Sequence, residues 1–319
     1  MRALVRRGGG VHLEDIAAPR LERDDDVLIA VSVAGICRTD LYVARGLLPV
    51  SEPRVLGHEF AGVVLEAGPS ASFSPGEPVC VIPLIDCGVC PGCVGLTECV
   101  EPLFLGVHVD GAFAERIVVP ACALMRRPAS MSARHAAYVE PVAAALAVLN
   151  APLAKNGRGL VLGDNRIATL ILRILDLYGF ANICGAPPDR PPRGDLFDFV
   201  IETEANAETV ATMLALLKPN GLAVLKSRPA APVPVDIAMA VKRNLRLFAV
   251  AYGPFDQAIE LLSSGKLAVD DILWPSFALE DFETAFAAAE ASNAAKLFLS
   301  ISPEPQRLDA AIAESRALA

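Results

Sequence analysis

The most constraining feature of this chain is a run of four cysteines within thirteen residues, Cys87-x2-Cys90-x2-Cys93-x5-Cys99. Thiolates so close on one loop can surround a tetrahedral zinc ion, each at about 2.3 Å, with little loop-closure cost. Buried or free cysteines are the plain alternative reading. A redox Cys-x-x-Cys pair is another, but it leaves the third and fourth cysteines unexplained. A disulfide set is disfavoured wherever thiols are kept reduced.

Length and composition bound the rest. At about 150 residues per domain, 319 residues suggest two domains, and an apolar content of 53% is ample for their cores. The net charge is −9 and no basic run appears, which argues against nucleic acid and anionic membrane as partners. The residues from Met1 to Arg7 alternate like a strand and lack a signal-type apolar core. The apolar stretches at 142–149 and 170–177 are too short to cross a bilayer. A soluble, cytoplasmic protein is the expectation.

The sequence texture changes near residue 135. Before it, short candidate strands (3–5, 27–33, 62–66, 79–82 and 114–119) are punctuated by Gly and Pro, as in a barrel-like or sandwich domain. After it come a helix at 136–149, a strand at 159–162, a helix at 169–178, strands at 181–184 and 197–201, a helix at 207–217 and a strand at 222–225. Strand alternating with helix argues for a parallel, doubly wound sheet. A late strand at 245–250 and a helix at 255–263 follow. From about residue 273 the short-strand texture returns, with a helix at 279–290 and a strand at 296–301. The tail after Pro303 reads as a surface helix.

A second constellation is spread along the chain. Cys37, Thr39 and Asp40 follow a strand, Gly57-His58-Glu59 precede another, and Glu140-Pro141 open a helix. Cys, His and Glu suit a catalytic zinc, which takes three protein ligands and keeps one position open. Each alone has a blander reading, such as a structural His–Glu pair.

Taken with the cysteine lobe and the segment from Gly111 to Glu115, these motifs resemble the zinc-containing medium-chain dehydrogenase/reductase superfamily. The resemblance is nearer to threonine and sorbitol dehydrogenases than to liver-type alcohol dehydrogenases. It implies an α/β fold: a GroES-like, β-rich catalytic domain at 1–147 and 273–319, and a shortened Rossmann-like domain at 148–272. It further implies Cys37, His58 and Glu140 as catalytic zinc ligands and Glu59 as an exchangeable acidic ligand. Thr39 resembles the hydroxyl that relays the substrate proton, and Asp40 a residue that orients a ligand from behind. Cys87, Cys90, Cys93 and Cys99 would hold a structural zinc. Arg38 and Tyr42 stand where the family often has Gly and His, and the last cysteine spacing is two residues short.

The nucleotide turn departs further. A Rossmann turn uses glycines for tightness and for the approach of the pyrophosphate. Here it reads Gly163-Asp164-Asn165-Arg166-Ile167-Ala168. Gly163, Asn165 and Ala168 occupy the three glycine positions, and the Asn165 side chain falls where pyrophosphate would lie. The second strand ends in Gly185-Ala186-Pro187-Pro188, without the acid that grips a ribose. About fifteen residues separate 181 from 197, so one strand–helix unit is expected to be missing. The family's Ala-Thr-Gly is replaced by Thr203-Glu204-Ala205.

Three functions remain open on sequence. One is an NAD(P)-dependent zinc dehydrogenase acting on a small alcohol or carbonyl. Another is a redox-neutral zinc enzyme catalysing elimination, isomerisation, cyclisation or decarboxylation, with nicotinamide binding weakened or lost. A non-catalytic zinc protein is the third. A homodimer or homotetramer is expected through the late strand.

Overall fold

The computed structural model describes residues 1–95, 99–194 and 196–302. In chain order it begins β1 (Arg2–Arg7), β2 (Gly10–Asp15), β3 (Asp26–Gly35), α1 (Arg38–Ala44), β4 (Arg54–Val55), β5 (Glu59–Ala67), β6 (Pro78–Val81) and β7 (Leu84–Ile85). It continues with α2 (Pro91–Val94), β8 (Leu103–Phe104), β9 (Arg116–Pro120), β10 (Leu124–Arg126), α3 (Ala133–Ala137) and α4 (Val139–Leu146). Next come β11 (Gly159–Leu162), α5 (Arg166–Leu177), β12 (Ile183–Ala186), β13 (Phe197–Glu202), α6 (Ala207–Leu216), β14 (Leu217–Leu225) and α7 (Ile237–Lys242). The described chain ends β15 (Arg246–Ala249), α8 (Phe255–Ser263), β16 (Leu273–Ala278), α9 (Phe282–Ala291) and β17 (Lys296–Ser300). The surface helix expected after Pro303 lies outside the described residues.

Two compact units emerge. One comprises residues 1–140, 273–292 and 296 onward, the other residues 141–272 and 293–295. The first is built on a seven-stranded sheet in the order β10-β6-β5-β3-β17-β16, with β9 also paired to β3. A three-stranded sheet (β2-β1-β4) and the small β7-β8 pair complete it. β3 is buried along all ten of its residues. That explains its nearly continuous apolar sequence, since a strand covered on both faces has no solvent side to mark with polar residues.

The second unit carries a five-stranded, all-parallel sheet in the order β12-β11-β13-β14-β15. β12 and β13 flank β11, so the chain reverses its direction of travel across the sheet between β11 and β13. Such a switch point opens a crevice at the carboxyl ends of those two strands. Among the described residues from 187 to 196 there is neither helix nor strand. α5 is amphipathic, burying Ala168, Leu170, Ile171, Ile174 and Leu175 at the spacing of one helix face.

Several expected elements differ in extent, among them the strand expected at 222–225, which begins at Leu217. The helix expected at 136–149 breaks at Tyr138 (φ −91°, ψ 0°) into α3 and α4. Pro141 supplies the reason: it has no N–H and its ring crowds the carbonyl four residues back. The strand expected at 181–184 starts two residues later, where Ile183 pairs with Gly159 and Ala186 with Leu162. No described helix is long and apolar enough to cross a membrane.

Candidate functional site

Strand register assembles the first site. β3 and β5 run antiparallel with Gly35 opposite Glu59 and Ala34 opposite Phe60. The chain leaving β3 therefore places Cys37 beside His58 and Glu59, at the start of β5. Ligand atoms of Cys37, His58 and Glu59 all lie within 4.8 Å of one another, and both His58 and Glu59 are about 1% exposed.

Asp40 braces this group. Its carboxylate accepts from the Cys37 N–H at 2.8 Å and the Gly57 N–H at 3.2 Å, and it faces His58 Nδ1 at 3.2 Å. A carboxylate at Nδ1 favours the proton there and leaves the Nε2 lone pair for a metal. Thr39 Oγ1 lies 3.9 Å from the Cys37 sulfur, which puts a hydroxyl beside the group. Glu140 is buried at the start of α4 but is not one of the three residues whose ligand atoms converge.

The depressed Cys37 thiol suits metal capture. Burial pushes the Cys37 thiol up, but the charge and hydrogen bond of His58, with the charge of Lys296, outweigh it and hold the thiol at about 6. Burial pushes His58 down, yet the charges of Asp40 and Cys37 raise it well above its ordinary value.

Sequence reasoning missed Lys296. It is wholly buried, pairs with the Glu59 carboxylate and donates to the Ile36 carbonyl at 2.8 Å. β17 brings it there by pairing Phe298 with Gly35. A Cβ at position 35 would fall 2.5 Å from both Glu59 Oε2 and Lys296 Cε, so Gly35 makes the room this pair needs. A charged residue heading the apolar strand Lys296-Leu297-Phe298-Leu299 was the only available signal.

The four cysteines of the lobe also converge within 4.8 Å. Their sulfurs sit 3.9 Å (Cys87–Cys93), 3.5 Å (Cys90–Cys93) and 3.9 Å (Cys90–Cys99) apart. A tetrahedron with metal–sulfur bonds of about 2.3 Å has edges of about 3.8 Å, so these three separations fit a zinc site. Backbone N–H groups of Cys93 and Val100 point at the Cys90 sulfur and hold its thiol down at about 6.

The nucleotide turn folds differently from an open glycine turn. Asn165 is the N-cap of α5 and is 6% exposed. Its Oδ1 accepts from the N–H groups of Ile167 (3.0 Å) and Ala168 (3.1 Å), and its Nδ2 donates to Thr203 Oγ1 at 2.9 Å. Gly163 lies against the same hydroxyl. The helix N-terminus is thus already capped from within the chain.

Comparison with known proteins agrees with the fold. Residues 23–129 match the alcohol dehydrogenase GroES-like domain. A 2-dehydro-3-deoxy-L-galactonate 5-dehydrogenase of Pseudoalteromonas atlantica is 29% identical, over 82% of this chain and 87% of its own length. An L-threonine 3-dehydrogenase of Bacillus licheniformis is 26% identical, over 94% of this chain and 98% of its own. A Sinorhizobium meliloti protein described as a zinc-binding dehydrogenase, solved with NADP bound, superposes with a TM-score of 0.83 at 25% identity, covering 94% of this chain and 99% of that one.

Proposed function

We propose, from its similarity to zinc-type medium-chain alcohol dehydrogenases, that the chain is an oxidoreductase that interconverts a small alcohol and its carbonyl with NAD(P). The observation that carries this reading is the buried convergence of Cys37, His58 and Glu59. A zinc ion held there would supply Lewis acidity toward the substrate oxygen. Cys37, His58 and Glu140 would be its ligands, and Glu59, whose carboxylate lies with Cys37 and His58, would be the exchangeable one. Asp40 holds His58 in the tautomer that ligates. Thr39 carries the substrate's hydroxyl proton away from the site. A nicotinamide would accept the hydride, and the relative solved with NADP supports that choice.

The exposed edge supports a homodimer. β15 pairs with β14 alone among the described residues and exposes Leu247 and Phe248. The eight cysteines are all free, which suits a reducing compartment such as the cytoplasm.

The test is turnover. Zinc-loaded protein should interconvert some members of a panel of C3–C6 secondary alcohols, polyols and ketones with NAD(H) or NADP(H), and Cys37→Ser should abolish that activity. No nicotinamide turnover across the panel, from protein that retains zinc at both sites, overturns the reading.

A further inference from the structure

The residues present do not fit a dinucleotide pyrophosphate in the turn as it is folded, and the misfit is organised. A pyrophosphate docks on a Rossmann helix through the free N–H groups of its first turn, in the crevice at the switch point. Here that crevice lies between the ends of β11 and β13. Asn165 follows β11 and Thr203 follows β13, and their side chains meet across it at 2.9 Å. The Asn165 carboxamide meanwhile takes the Ile167 and Ala168 N–H groups. Both residues are 6% exposed. Asp164, exposed in the same turn, adds a negative charge where a diphosphate would approach.

Two departures that look like independent decay in the sequence, Asn165 and Thr203, are therefore one hydrogen-bonded unit. We propose that the Asn165–Thr203 pair is a latch that closes the dinucleotide site, its carboxamide standing in for the pyrophosphate at the α5 N-terminus. The nicotinamide dinucleotide must displace this carboxamide, so it binds the native chain weakly. The inference depends on the dehydrogenase reading only for its choice of ligand.

The experiment is titration of NADH and NADPH, by fluorescence and calorimetry, against the zinc-loaded full chain and three variants. Asn165→Gly/Thr203→Ala removes the latch, and glycine is itself an accepted N-cap, so the helix keeps its start. Thr203→Ala removes the hydroxyl contact and leaves the carboxamide Nδ2 only the longer one to the residue 203 carbonyl, at 3.4 Å. Asn165→Asp keeps the cap but adds a charge. Expected are binding about tenfold tighter or more in the double variant, a smaller gain in Thr203→Ala, and no gain in Asn165→Asp. Wild type and double variant binding equally well overturns the latch and leaves the dehydrogenase reading standing. A double variant that binds while the wild type neither binds nor turns over supports the latch and overturns the dehydrogenase reading. Binding by neither overturns both.

Discussion

Lys296 and Glu59 form a buried ion pair at the Cys37–His58–Glu59 group, with the lysine 0% and the glutamate 2% exposed at the side chain. Removing one partner of such a pair strands a charge in a medium that solvates it poorly, at a cost of about 3–5 kcal/mol. Lys296→Met in zinc-free protein should therefore lower the denaturant midpoint with little change in slope. Lys296→Met/Glu59→Leu should recover most of the loss, because no charge is then left unpaired. A single variant as stable as the wild type would show that the pair carries no structural load.

The four-cysteine lobe makes a prediction about metal content. Native protein should carry about two zinc ions per chain, and Cys90→Ser about one. The lobe residues from 86 to 101 should become the first site of proteolysis in Cys90→Ser, since the ion is what ties so short a loop. Unchanged zinc content in this variant would show that the cysteines are merely packed together.

Much of this was legible because the signals were local. The lobe is contiguous in sequence, and α8 begins and ends at the residues where apolar periodicity and Gly265 place it. Asn165 could be read as obstructing the turn because it stands at the second glycine position, where the backbone would approach the pyrophosphate. Long-range partners were not legible. Lys296 meets Glu59 across 237 positions, through strand pairings that no local pattern specifies. Thr203 was visible only as a departure from a motif, and its link to Asn165 depends on β11 and β13 lying side by side. The ligand role of Glu140 rests on resemblance, while β3–β5 register itself brings Glu59 to Cys37 and His58.

The depressed Cys37 thiol predicts reactivity in zinc-stripped protein. Its folded-state value of about 6 lies below the ordinary 9.0, so the thiolate prevails above pH 6 and is lost as pH falls through that value. Alkylation by iodoacetamide, mapped by peptide mass spectrometry, should rise through pH 6 and level off near pH 7. Cys80, pushed up to about 12 by burial, should stay unmodified. His58→Phe removes the chief influence that lowers the thiol and should move the Cys37 inflection upward. Zinc should protect Cys37 at every pH. An inflection that stays at pH 6 in His58→Phe would remove His58 as the cause.

The edge of β15, unpaired among the described residues, makes the last prediction. A strand paired on one side only presents a row of unmet N–H and C=O groups, which a symmetry mate can satisfy in an isologous dimer. Leu247 and Phe248, 39% and 37% exposed, point to opposite faces of the sheet, so a mate paired at this edge would cover apolar surface on both sides. Leu247→Glu/Phe248→Glu places like charges where two copies of the strand meet, and repulsion in a partly desolvated contact should split the dimer. Sedimentation should then show a dimer for the native chain and a monomer for the variant, with the Asn165 and Cys37 sites unaffected because neither lies on this strand. A native chain that sediments as a monomer, or a variant that stays dimeric, would place the contact elsewhere on the protein.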